Sequence, residues 1–240
     1  MSKRPDLFTS YQKEISIFPN NTQKFWFITL LIASIYVCFI ASDYWLILLT
    51  NALLVSIAAW GLNIVSGLAG QINLAHGVFV GIGTYTSAVL GGVATRSVIG
   101  FELDLIIWLP LSGIAAALIG LIISPIAVRL KGLNLGLVTL AFVFIGAHFF
   151  NNMTFVTGGS GLGRKAAKLN IFGIDFNSGY QIGEFLIQKN QILYLISLLV
   201  TVLLGLGVKN LVRSKTGRAF AAIRDLSLIH ISEPTRRIEI

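Results

Sequence analysis

The chain has 240 residues, of which 55% are hydrophobic and only 12% charged, with a mean hydropathy of +0.82. Soluble domains carry about 25% charged residues, so this chain lacks the charge for an ordinary solvated surface and is excluded from that class. The formal net charge of +8 does not point to nucleic acid, because the basic residues sit in short runs that flank apolar segments, as in membrane proteins with positive cytoplasmic loops. The fold class expected is all-α, a polytopic integral membrane protein of about six transmembrane or half-membrane helices.

Residues 1–24 form a polar, basic leader with Lys3, Arg4, Lys13 and Lys24, expected as a cytoplasmic tail. The first apolar run, Phe25–Ala41, has no small-residue cleavage site after it and is long enough to remain in the bilayer as a helix. It contains the single cysteine, Cys38, which excludes an intrachain disulfide and reads as a small packing residue. A second spanning run covers Trp45–Ser66.

The stretch from Gly61 to Leu90 is then broken by glycines and by a polar cluster, Gln71, Asn73 and His76. Unpaired backbone and polar side chains in hydrocarbon cost several kcal/mol each unless protein or a water-filled cavity satisfies them. Two readings follow. The stretch is a tight loop between two spans whose polar residues satisfy the broken backbone, or it is a broken helix lining a permeation pathway. Gly77–Leu90 sits at the lower edge of the spanning length, about 17–25 residues.

Further spans are expected at Ile106–Val128, Leu133–Phe150 and Ile192–Val208, with Pro110 and Pro125 near the two ends of the first of these. Prolines there can kink or end a helix. Gly77 with Gly81, and Gly132 with Gly136, have the GxxxG spacing that lets helix backbones approach closely, and are assigned to helix packing. With the N-terminus inside, Arg129, Lys131, Lys209, Arg213, Lys215, Arg218 and Arg224 join the leader in the cytoplasm. Arg96, Arg164, Lys165, Lys168 and Lys189 then fall outside, mostly in one longer loop where the charge rule is weaker. His148, near an outer helix end, reads as an interface residue.

No Gly-x-x-x-x-Gly-Lys-Ser/Thr phosphate loop is present, and the glycine-rich run from Gly158 to Gly163 lacks the lysine. No metal-ligand spacing and no nucleophilic triad occurs, so no catalytic residue, metal or cofactor is expected and the chain does not read as an enzyme. Before Leu226 the acidic residues are Asp6, Glu14, Asp43, Glu102, Asp104, Asp175, Glu184 and Asp225. All fall in expected tails or loops. That leaves no carboxylate to relay protons or hold sodium in mid-membrane, which weakens an ion- or proton-coupled secondary transporter, the alternative function; a non-transporting membrane scaffold is another.

Four motifs carry a family resemblance in order along the chain. The first comprises Gly61-Leu-Asn, Ser66-Gly-Leu-Ala-Gly-Gln, Leu74-Ala-His-Gly-Val-Phe and Gly81-Ile-Gly-Thr-Tyr-Thr. Gly132-Leu-Asn-Leu-Gly-Leu-Val-Thr-Leu-Ala-Phe, Thr157-Gly-Gly-Ser-Gly-Leu and Ser214-Lys-Thr-Gly-Arg-Ala-Phe-Ala-Ala-Ile-Arg-Asp follow. Together they resemble the second of the two related permease subunits of branched-chain amino acid ABC importers.

The resemblance implies a multi-pass subunit of the bacterial inner membrane that translocates branched-chain amino acids, or related amides or urea. It further implies a homologous second permease, two ATP-binding subunits and an extracytoplasmic solute-binding protein as partners. Gln71, Asn73 and His76 become candidates for the substrate pathway. Gly217, Arg218, Phe220 and Arg224 become candidates for coupling to the ATPase. Ala219, Phe220, Ala222 and Ile223 can give that segment one apolar helix face; an ordinary basic juxtamembrane flank is the other reading.

Leu226–Arg236 matches, residue for residue, an in-frame translation of a widely used transposase sequencing adapter. Residues 226–240 are therefore expected to be a non-native tail and residues 25–225 an incomplete permease domain. A chain of this extent is expected to insert partly, assemble poorly and transport nothing.

Overall fold

A computed structural model describes residues 18, 20–130, 132–159, 163–176, 180–182 and 185–232. In chain order the helices are α1 (Asn21–Ile40), α2 (Asp43–Leu62), α3 (His76–Gly91), α4 (Leu105–Arg129), α5 (Leu133–Asn152), the single turn α6 (Thr154–Thr157), α7 (Lys189–Arg213) and α8 (Lys215–Ser232). A π-helical turn, Asn63–Leu68, continues α2. Two short antiparallel hairpins occupy the long loop before α7, pairing β1 (Asn170–Ile171) with β2 (Ile174–Asp175) and β3 (Tyr180–Ile182) with β4 (Phe185–Ile187). The sequence pattern did not foresee these hairpins, but the architecture is helical throughout the membrane-spanning part.

Among the described residues, five stretches are long and apolar enough to cross a membrane: Asn21–Ile40, Asp43–Leu68, Leu105–Ala127, Leu133–Asn152 and Lys189–Arg213. The helix α3, outside these five, has 16 residues. At ~1.5 Å per residue it is ~24 Å long, short of the ~30 Å hydrocarbon core. Large apolar side chains point outward along these helices; on α4, Leu121 is 68% and Ile122 75% exposed. Such surface is unfavourable in water and suited to lipid. Hydroxyl side chains inside the spans are satisfied locally: Thr50, Ser56, Thr84 and Thr201 each donate to the carbonyl four residues earlier. Each of these four hydroxyl donors is thereby paired within its own helix.

The chain forms two compact units, Met1–Gly70 with Leu193–Ile240, and Gln71–Ile192. In the first, Cys38, Leu46, Tyr194 and Leu198 are buried together. Cys38 is fully buried, in the packing position its size suits. The Tyr194 hydroxyl donates to Ser34 O at 3.1 Å, tying α7 to α1. Gly205 on α7 is approached so closely by the Trp60 ring that a Cβ would lie 2.9 Å from it.

In the second unit α3 packs against α4 and α5. Phe79 of α3 stacks on Phe142 of α5, with ring centroids 6.4 Å apart and planes inclined by 12°. A helix end leaves its last carbonyls unpaired, and here the loops supply the donors. Phe101, Leu103, Glu102 and Lys168 give backbone N–H groups to the carbonyls of Val89, Leu90, Gly92 and Gly91 respectively. Lys168 also pairs with Glu102 at 3.0 Å. Arg164 donates to the carbonyls of Val156 and Ile99, and burial pushes its guanidinium below the usual arginine range. Pro110 and Pro125 both lie within α4, which runs unbroken for 25 residues and ends only at Arg129.

Candidate functional site in the helix break

The break between α2 and α3 has one half in each unit. In the first unit, α2 unwinds into the wider π turn and closes with Ala69 N donating to Ile64 O at 3.2 Å. Ser66 returns its hydroxyl to Leu62 O. Gly70 then takes φ +66°, a left-handed conformation that glycine adopts without a Cβ clash. Even apart from φ, a Cβ on Gly70 would lie 2.7 Å from Arg224 Cγ. Arg224 Nη1 donates to Gly67 O at 2.8 Å. The charged guanidinium thus meets the negative end of a helix and one of its orphaned carbonyls.

The second-unit half, Gln71–Ala75, is irregular. Asn73 Oδ1 accepts from Ala75 N at 3.0 Å, a local turn that sets the entry to α3. Leu74 N donates to Thr139 Oγ1 at 3.2 Å, so α5 holds this segment from the side. Gly136 on α5 is buried with Ile72 beside it, its Cβ position 3.3 Å from Ile72 Cγ2. His76 opens α3. Its Nε2 is buried and has no hydrogen-bond partner among the described residues. Gln71 is half-buried.

The three polar residues therefore do different work. Asn73 spends its carbonyl on the broken backbone. His76 has a ring nitrogen unspent, at a helix N-terminus whose dipole favours negative charge. Thr139 belongs to the same polar cluster, although an isolated threonine in an apolar run gave no signal of it.

The glycines of the two pairs have unequal surroundings. A Cβ on Gly81 would lie 2.7 Å from the Phe150 ring, and Gly136 meets Ile72, but Gly77 and Gly132 have nothing within 4 Å. Gly132 takes φ +59° just before α5, a conformation that favours glycine. A further close approach of α3 and α5 falls at Gly146, where a Cβ would lie 2.6 Å from Val78 Cγ1. No GxxxG partner marks that position.

Of the coupling candidates, Gly217 is buried at the α7–α8 junction, where a Cβ would collide with the carbonyl oxygens of Leu211 and Val212. Ser214 interrupts the helix there and donates to Leu211 O at 2.6 Å. Arg218 is exposed and Phe220 half-buried on α8. That helix continues without a break through Asp225 to Ser232, so the backbone has no boundary at Asp225. In the Thr157–Leu162 motif, Gly158 and Gly159 take φ +82° and +81°, and residues 160–162 lie outside the described part. His148 is exposed near the end of α5, with Asn152 Nδ2 3.1 Å from its Nδ1. Among the described residues, no group of three or more His, Cys, Asp or Glu is arranged to hold a metal ion.

The apolar spans and the outward-facing apolar side chains among the described residues define a polytopic α-helical membrane protein. Residues 44–226 match the family of branched-chain amino acid transport system permease components, and the chain belongs to that family. It is similar to the high-affinity branched-chain amino acid transport system permease protein LivM of Escherichia coli (strain K12), at 30% identity over 85% of this chain and 49% of the relative. The corresponding LivM of Salmonella typhimurium (strain LT2) gives the same figures. The chain thus spans about half the length of the curated relatives it matches. No solved structure matches it.

Proposed function

We propose that the chain is the transmembrane permease part of an ABC importer in the bacterial inner membrane, carrying branched-chain amino acids or related amides and urea. A solute-binding protein delivers the solute, a homologous second permease completes the pathway, and two ATP-binding subunits supply the energy. The observation that carries this reading is the family match, which takes in the helix break and the start of α8 in one alignment. Gln71 and His76 line the pathway, with the buried His76 Nε2 offering a hydrogen bond to a passing zwitterion without a fixed charge. Asn73 shapes the break. Gly217, Arg218, Phe220 and Arg224 belong to the ATPase-facing element, with the N-terminus in the cytoplasm.

Reconstitution of the full-length permease with these partners tests the reading: leucine uptake should require ATP. Gradient-driven uptake without ATP would favour the ion- or proton-coupled carrier instead. Orientation is tested separately. A cysteine replacing Phe220 should resist membrane-impermeant thiol reagents in intact cells, whereas one replacing Arg96 should react.

A further inference from the structure

In the first unit, α8 touches the end of the π turn. Arg224, on α8, donates from Nη1 to Gly67 O at 2.8 Å, in the last turn before the break. Its aliphatic stem lies over Gly70, whose missing Cβ would sit 2.7 Å from Cγ and 3.2 Å from Cδ. The π turn widens the helix, and its final carbonyls, like those of any helix end, need donors from outside the helix. A guanidinium meets that need with charge as well as hydrogen bonding. Gly217 fixes where α8 departs from α7, because no side chain fits against the Leu211 and Val212 carbonyls.

We propose that Arg224 is a positioning residue, a latch by which α8 holds the π turn and Gly70 in the conformation seen. Movement of α8 withdraws the guanidinium from Gly67 O. The last turn then loses its charged cap, and Gly70 is free to leave the left-handed conformation. The latch gives the ATPase-facing element a differential contact with the helix break, as any conformational coupling requires. Its role in transport rests on the permease reading above; its mechanical part does not.

Two measurements keep these apart. In membranes holding the chain itself, Ser66→Cys is labelled by a thiol reagent, with the native Cys38 fully buried. Arg224→Ala should raise the labelling rate of position 66 about tenfold, and Arg224→Lys, which keeps one charged donor, should raise it less. Equal rates in all three backgrounds would overturn the latch. In the full-length permease reconstituted with its ATPases and binding protein, Arg224→Ala should cut leucine uptake at least tenfold while ATP hydrolysis stays within twofold, with partial rescue by lysine. Parallel loss of both activities, or unchanged uptake, would overturn the coupling role. Should Arg224→Ala not insert, Gly70→Ala, which crowds Arg224 Cγ, is read by the same labelling and the same criteria. Absence of ATP-driven uptake in the unsubstituted complex would remove the permease reading and leave the labelling result to decide the latch.

Discussion

The Leu74 backbone N–H donates to Thr139 Oγ1 at 3.2 Å, and the same hydroxyl donates to Gly136 O at 2.9 Å. One threonine on α5 thus satisfies an amide of the broken segment. Thr139→Val keeps the shape and removes both bonds. A lost bond of this kind costs about 1 kcal/mol, and more where the orphaned amide finds no water. The thermal midpoint of the purified protein should fall for valine and recover for serine; equal midpoints for valine and threonine would show that the amide is satisfied elsewhere.

Gly146 and Gly77 should respond in opposite ways to the same added methyl group. Gly146→Ala forces a Cβ to within 2.6 Å of Val78 Cγ1, and overpacking of this kind costs about 1–3 kcal/mol. Val78→Ala in that background should restore stability, because the two side chains share one space. Gly77→Ala meets nothing within 4 Å and gains helix propensity of up to about 1 kcal/mol. Thermal denaturation of the four proteins reads the contrast directly, and a destabilising Gly77→Ala would reveal a packing partner outside this chain.

His76 and Asn73 should separate transport from structure. His76→Ala removes a ring nitrogen with no protein partner among the described residues, so insertion and assembly should be retained. Leucine uptake by the full-length complex should fall about tenfold, the effect of one lost hydrogen bond of about 1.4 kcal/mol. Asn73→Ala removes the acceptor for Ala75 N and should lower stability together with uptake. Normal uptake with His76→Ala would show that the pathway does not use that side chain.

Gly217→Val should disrupt the α7–α8 junction, since the new side chain meets the Leu211 and Val212 carbonyls. Crosslinking from position 220 to the ATP-binding partner should be lost while α7 still inserts. Retention of an efficient crosslink would mean that the junction can open without moving Phe220.

Helix positions were legible in the sequence because membrane spans are written in composition and length. The Gly77–Leu90 run emerged as α3, His76–Gly91, and the expected run at Leu133–Phe150 as α5, Leu133–Asn152. Pro110 and Pro125 drew attention as ends or kinks of α4, yet the helix passes through both. Proline is tolerated in membrane helices when neighbouring groups satisfy the freed carbonyls.

The break itself was also readable, since glycines and Gln71, Asn73 and His76 cannot continue an apolar helix unaided. What each residue does there was not. Spacing treats Gly77 and Gly81 alike, yet only Gly81 has a neighbour close enough to require glycine. Thr139, Gly146 and the Arg224–Gly67 bond depend on which helix faces lie together. Sequence by itself determined the apolar spans, the excess of positive charge and the place where the helix must break, because these follow from local transfer energies. Only the tertiary structure decided how the broken backbone is satisfied, because its donors come from residues far along the chain: Thr139 for Leu74 and Arg224 for Gly67.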